Sequence, residues 1–485
     1  MTLPAALAMP WAPDRALYCA PGRLILKLPL GETPEWMPTI RDVRTGYREA
    51  SRRIDGKGPI DRVFSRFSHD FQATRLHGAA ASRHQFGRRH HNYTAFEHAF
   101  GLAGTLRIRL DRDAPVGAVV DALRQLGGVE SATPHYLCQQ TAAPAVAEPP
   151  APDLDSGWVS RELVRTAEAL AYEPGDPALI LAIVDTGVSH THAEFADKLR
   201  AGFDTVQIGP MDMATGLRLL GDLSDEDMEP EDEVGHGTGC AGIIGAHGRT
   251  IPPGLAGEAR LLAIRVLGSA AMPGKDAPVG VGALPDIDDG LKRAIDLGAK
   301  VLNLSFGTPV NTLDQYDPLP HEDVVRYGLA HGCIMVAASG NTGLTERFSP
   351  ACLDGVIAVG AVDDRGQPAD FSTRGDHVAL SAPGVRVMSS GLSGTARVTG
   401  TSFAAPFVTG AAALLVARAY RRAEPLDVTN VRRLLQDSAR PFPGGPKAGG
   451  GAGVLDAAEA LRLLDRRIDS DAHGSPAIRL TADDG

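Results

Sequence analysis

Between residues 178 and 363, five short runs that are apolar through their bodies alternate with segments of helical periodicity. The runs are "ALILAIVDTGV" (178–188), "ARLLAIRVLG" (259–268), "AKVLNLSFG" (299–307), "CIMVAASGN" (333–341) and "GVIAVGAVD" (355–363). A strand with one wet face alternates apolar and polar residues, so a strand apolar on both faces must be covered on both. The segments "LPDIDDGLKRAIDLG" (284–298) and "HEDVVRYGLAHG" (321–332) supply such cover, and the crossovers that parallel neighbours require. The pattern predicts an α/β domain with a parallel sheet between helices.

A chain of 485 residues has room for more than this. Residues 141–155, "TAAPAVAEPPAPDLD", have no apolar period and read as an extended linker. Before it, "GRLILKLPL" (22–30), "GTLRIRL" (104–110) and "VESATPHYLC" (129–138) read as strands, and "PVGAVVDALRQLGG" (115–128) as a helix. The predicted organisation is an N-terminal extension (1–21), a small α+β domain (22–140) with a basic insert near 40–100, a linker (141–156), the α/β domain (157–465) and a loose tail (466–485).

Several function classes fall away on charge and cysteine usage. A net charge of −11 does not suit general nucleic-acid binding, which needs basic surface to neutralise phosphates. No apolar run approaches the roughly 20 residues that span a bilayer, so no membrane span is expected. The start, "MTLPAALAMPWAPDR", lacks a basic leader region, which favours a cytoplasmic location with secretion as the alternative. Cys19, Cys138, Cys240, Cys333 and Cys352 are odd in number and widely spaced, giving neither a zinc site nor a disulfide framework.

In open α/β sheets, sites gather at the carboxyl ends of the strands. Asp185 ends one run as "IVDTGV" and Asn341 ends another as "AASGN". His236 lies in "GHGTGCAG" (235–242), and Ser402 in "GTSFAAPFVTG" (400–410), just before the apolar helix "AAALLVARAY". Taken singly, Ser402 reads as an N-cap, Asp185 and Asn341 as turn residues, and His236 as a structural histidine. As a set they have complementary chemistry. A hydroxyl needs a base to become a nucleophile, and an imidazole serves as that base. A carboxylate orients the imidazole, and an amide donates to the oxyanion.

These four motifs resemble the signatures of the subtilisin-like serine proteases, or subtilases, over about residues 157–465. The resemblance implies a parallel seven-stranded sheet between helices and serine endopeptidase activity on protein or peptide substrates. It assigns triad roles to Asp185, His236 and Ser402 and the oxyanion role to Asn341. It also implies that Ser305, Phe306 and Gly307 line the non-primed subsites, and that Ala338, Ser339 and Gly340 wall the pocket for the residue before the scissile bond. The segment 341–355 should shape that pocket, with Glu346 or Arg347 as candidates to enter it. The alternative from another class is a catalytically silent scaffold that binds a peptide or protein.

Two departures from the family pattern matter. A position often occupied by histidine is Gly239, followed by Cys240, which implies a packing change. The loop "GAHGRTIPPGLAG" (245–257) lacks the carbonyl-and-Asn arrangement that holds calcium in many relatives, so no cofactor or metal site is expected. Calcium stays possible only at the acidic run "DLSDEDMEPEDE" (222–233), which reads chiefly as a solvated loop. The segment 22–140 resembles an inhibitory subtilase propeptide, which would make the chain's own N-terminal domain a partner that masks the cleft. Histidines of its insert (His69, His77, His84, His90, His91, His98) raise the idea of release at mild acidity, beside the plainer reading of a solvated basic face.

Overall fold

Seven strands, mutually parallel at every pairing, form the central sheet of the computed structural model. The structure describes residues 17–80, 92–139, 157–209, 218–222, 227–271 and 277–474. In spatial order the sheet runs β16 (Val378–Pro383), β15 (Val356–Val362), β13 (Ile334–Ala338), β11 (Val301–Leu304), β5 (Ile180–Asp185), β8 (Arg260–Arg265) and β6 (Leu199–Asp204). The five apolar runs are its five inner strands, and each is buried almost throughout. The edge strand β6 mixes exposed, half-buried and buried residues, with Arg200 and Ala201 both exposed, and so carries no continuous apolar signal.

Cover comes from two sides. The helix Thr401–Arg421 lies with His236–Gly245 against one face, in a cluster that includes Val336, Val359, Ala404, Phe407 and Leu414. The helices Leu284–Asp296 and Glu322–Ala330 close the other face through Ile287, Leu291, Val324 and Tyr327. Burying each such aliphatic side chain contributes about 1.5–3 kcal/mol. Among the described residues only Thr401–Arg421 is long and apolar enough to cross a membrane, and 94% of its most apolar window is buried inside the protein. All five cysteines are free thiols buried in the fold.

The N-terminal region is an antiparallel sheet in the order β2 (Phe71–Arg75), β3 (Thr105–Leu110), β1 (Leu17–Lys27), β4 (Ser131–Gln139), with the helices Pro59–Phe67 and Val116–Arg124 packed on its apolar side. Three boundaries differ from the sequence reading. β1 begins at Leu17, so the 1–21 extension ends within a strand. The insert near 40–100 holds short helices and the edge strand β2, which joins it to the sheet of the small domain. The last helix, Ala457–Gly474, runs through Asp465, and Ile468 packs on the main core, so the first part of the expected tail belongs to the fold. The linker 141–156 lies outside the described residues.

The two regions share a sheet. β4 pairs antiparallel with β10 (Val279–Ala283), with Leu137 opposite Ala283, Cys138 opposite Gly282 and Gln139 opposite Val281. β10 continues to β9 (Gly268–Ala271) and β7 (Arg218–Leu220), so strands of both regions form one seven-stranded sheet. Charged pairs flank the joint. Arg107 reaches Asp286 at 2.7 Å, Lys292 reaches Glu97 at 2.6 Å, and Arg124 reaches Asp317 at 2.6 Å. Of the insert histidines, His77 is buried with Nδ1 3.6 Å from Asp289, whereas His69 and His98 are exposed. His84, His90 and His91 lie outside the described residues.

Asp286 is wholly buried, and burial pushes its carboxyl above the usual carboxylate range against the pull of Arg107. An ion left without its partner in such a place costs about 3–5 kcal/mol. Arg107→Ala should therefore lower the stability of the docked N-terminal region by that amount. Urea unfolding and limited proteolysis of the region before residue 139 read this directly; an unchanged midpoint and cleavage rate would contradict the role given to the pair.

Candidate active site

Because the strands are parallel, the ends of β5, β11 and β13 open on one edge of the sheet. Asp185 closes β5 there with no exposed surface. Its main-chain oxygen accepts from the N–H groups of Val266 (2.8 Å) and Leu267 (3.2 Å), which ties the neighbouring crossover to it. Its Oδ1 accepts from the Thr186 N–H at 2.7 Å and faces His236 Nδ1 at 2.7 Å. A carboxylate at Nδ1 fixes the ring's orientation and leaves Nε2 on the opposite side.

His236 is the first residue of the helix His236–Gly245, and Asp232 holds that helix start in place. Asp232 Oδ1 accepts from the N–H groups of Val234 (2.9 Å) and Gly235 (2.8 Å) and from the Thr186 hydroxyl (2.9 Å). Its Oδ2 accepts from the Thr238 N–H (2.8 Å) and hydroxyl (2.6 Å). A Cβ on Gly237 would lie 2.1 Å from Gly187 O, so only glycine lets the helix start approach the turn after β5. Asp232 belongs to the acidic run that the sequence suggested was a solvated loop. It is 4% exposed, and its neighbour Glu233 reaches Arg265 at 3.0 Å. At these two positions the run is structural, a role that only the position of an acid shortly before "GHGTG" hinted at. Residues 223–226 lie outside the described residues.

Ser402 is the second residue of the helix Thr401–Arg421 and is 5% exposed. Its Oγ donates to Ser305 O at 3.2 Å. Its carbonyl accepts from Ser305 Oγ (2.6 Å) and Cys240 Sγ (3.4 Å). Ser305 is held in turn by Asn303 Nδ2 (2.8 Å), and Asn303 Oδ1 accepts from the Thr409 hydroxyl (3.0 Å). This buried chain ties β11 to the serine helix, and a polar residue inside an apolar strand is its one trace in the sequence. The Phe403 ring lies 4.9 Å from the His236 ring, which sets the histidine beside the helix start that carries Ser402.

The change at Gly239 now has a packing cause. A Cβ there would sit 3.1 Å from the Phe403 ring, so a small residue makes room for the aromatic that backs His236. Cys240 Sγ lies 3.8 Å from Asp185 Oδ2. Asp185, His236 and Cys240 form the only cluster of metal-ligand type among the described residues. Burial and the Asp185 charge push the Cys240 thiol well above its ordinary range, which keeps it protonated and a poor ligand.

Asn341 is oriented from the serine side. Its Oδ1 accepts from the N–H and the hydroxyl of Thr401, both at 2.9 Å, which directs Nδ2 away from that residue. The Ser339 hydroxyl donates inward to Thr373 O at 3.0 Å, and the Phe306 ring packs on His321 with centroids 5.6 Å apart. Ala338 is buried as well, so main chain and the two glycines, Gly307 and Gly340, dominate the walls between 305–307 and 338–340. Glu346 and Arg347 turn to other partners: Glu346 Oε2 accepts from Asn311 Nδ2 at 3.3 Å, and Arg347 donates to Cys352 O at 3.2 Å.

Comparison with known proteins gives the arrangement a context. The model of the subtilase family matches residues 176–458. A thermophilic serine proteinase of Bacillus sp. (strain AK1) is 34% identical over 334 residues, covering 68% of this chain and 72% of that protein. Thermitase of Thermoactinomyces vulgaris is 33% identical over 267 residues, covering 54% and 82%. Among solved structures, the epidermin leader peptide processing serine protease of Staphylococcus aureus shares the fold, with a TM-score of 0.57 at 20% identity over 74% of this chain and 91% of that one. With the parallel sheet and the family match together, the chain belongs to the subtilase family and is a subtilisin-like serine endopeptidase.

Proposed function

We propose that the chain cuts peptide bonds with Ser402 as nucleophile, His236 as general base and acid, Asp185 as the group that orients His236, and Asn341 as an oxyanion donor. The observation that carries this reading is the 2.7 Å contact of Asp185 with His236 Nδ1, buried beside the helix start that bears Ser402. With Nδ1 committed to the carboxylate, Nε2 accepts the Ser402 proton as Oγ attacks the carbonyl carbon. The negative charge that forms on the carbonyl oxygen meets Asn341 Nδ2 and the main-chain N–H of Ser402, in the first turn of a helix where such N–H groups have no partner within the helix. Nε2 then returns the proton to the departing amine, and water repeats the sequence to free Ser402.

The chain is also its own inhibitor in this reading. β9 leads away from the segment anchored on the Asp185 carbonyl and pairs with β10, and β4 already occupies the other edge of β10 up to Gln139. A substrate strand would need that edge. Cleavage in or just before 139–156 would separate the inhibitor from the protease.

No cation is required at the loop 245–257. The Glu194 carboxylate accepts from the N–H groups of Gly248 (2.8 Å), Arg249 (3.1 Å) and Ile251 (3.3 Å), and from the Thr250 N–H and hydroxyl. The Lys198 ammonium donates to Gly245 O (3.0 Å) and Gly257 O (2.6 Å) at the two ends of the loop. Inward N–H groups suit an anion, and the protein supplies both charges itself. Burial raises the Glu194 carboxyl, but the ring of donors wins and holds it below the ordinary range. Its contribution is therefore complete above the unfolded carboxyl's pKa, about 4.3, and is lost as pH falls through the lower folded value.

Ser402→Ala should abolish labelling by a fluorophosphonate probe and keep the chain full length where the native chain shortens. Asn341→Ala should retain labelling and lose about 10²–10³ in kcat. A native chain that neither labels nor shortens would instead match a silent binding scaffold. Thermal midpoints with EDTA and with calcium should coincide, whereas Glu194→Ala should cost at least about 2 kcal/mol by stranding buried donors. A large downward shift with EDTA would refute the internal clasp.

A further inference from the structure

Between the two glycine walls, the space that a substrate side chain would enter already holds a ring of the protein. Phe348 belongs to the short strand β14 (Phe348–Ser349), which pairs with β12 (Thr308–Pro309) directly after Gly307. The side chain is 1% exposed. A Cβ placed on Gly307 would lie 3.3 Å from Phe348 Cβ and Cδ1, and one on Gly340 would lie 2.7 Å from Cδ2 and Cε2. One edge of the ring thus meets one wall and the opposite edge the other. Gly340 has φ +114, which keeps it glycine on backbone grounds as well.

The ring is fixed rather than a movable plug. Phe348 O accepts from Cys352 N–H at 2.8 Å, the preceding Arg347 O accepts from Val310 N–H at 2.9 Å, and the Ser349 hydroxyl donates to Pro320 O at 2.6 Å. Bonds on both sides of the residue leave its backbone little freedom to swing the benzyl group away.

We propose that Phe348 fills the pocket for the residue before the scissile bond and restricts that residue to glycine, alanine or another small side chain. The proposal rests on the reading of Ser402 as nucleophile and of 305–307 and 338–340 as the pocket walls. A leucine or phenylalanine side chain entering between these walls needs the volume the ring occupies. The sequence carries an independent sign. The stretch that follows β4, "QTAAPAVA" (140–147), where self-cleavage is proposed, contains no aromatic and no long aliphatic residue. A protease restricted to small residues can cut its own chain there.

The test uses the full-length chain, incubated until it digests casein, with Ser402 labelling by a fluorophosphonate to count active sites. Tetrapeptide p-nitroanilides that differ only in the last residue (Gly, Ala, Leu, Phe) are then compared. The alanine substrate should exceed the phenylalanine one by at least about 100-fold in kcat/KM, within the range that pocket volume commands. Phe348→Ala should raise cleavage of the phenylalanine substrate at least about tenfold, and the milder Phe348→Leu should shift the same ratio in the same direction should the alanine variant fail to fold. A labelled native enzyme that cleaves the leucine or phenylalanine substrate as fast as the alanine one overturns the proposal alone. Absence of labelling and of all cleavage overturns it together with the reading of Ser402.

Discussion

The arrangement depends on one buried carboxylate. Asp185 is fixed through its main chain by the crossover that follows β8 and through its side chain by His236. A charge without exposed surface is tolerable only when its oxygens are satisfied; here Oδ1 meets the Thr186 N–H and the imidazole at 2.7 Å each, and Oδ2 lies 3.8 Å from the Cys240 thiol. The same requirement extends outward. Thr186 reaches Asp232, Asp232 grips the start of the His236 helix, and Gly237 lets that helix close on the strand end. Removing the carboxylate would therefore disturb two elements besides the histidine.

What the sequence made legible follows from continuity of signal. β5, β8, β11, β13 and β15 are apolar through most of their length because helices bury both their faces, and such runs are visible without alignment. β6 and β16 lie at the sheet edges, where "LRAGFD" and "VALSAP" carry exposed positions or a proline, and the periodicity argument passes over them. The strands β9 and β10 were hidden for another reason. "GSAA" and "VGVGA" are small and glycine-rich, and they become strands because they pair with their neighbours, including β4.

The site was legible to the same degree. Asp185, His236, Asn341 and Ser402 sit in glycine-rich motifs whose spacing survives in the sequence, and the fold brings Asp185 against His236 and ties Asn341 to the residue before Ser402. Their supports were not legible. Asp232 looked like one acid in a charged run, Asn303 like an interruption in a strand, and Phe348 like an ordinary apolar residue in a loop. Each acquires meaning only from partners far along the chain, at Thr186, Thr409 and Gly340.

The shared sheet has a kinetic meaning. While the polypeptide is continuous, β4 is presented to β10 at the high local concentration that tethering provides. Were the tether cut, the same pairing and the same buried charges would persist, but the occupant would leave and return as a separate molecule. The share of β10 that is paired with β4 would then rise with total protein and fall on dilution, so that a contact indifferent to concentration before the cut would become one that concentration governs.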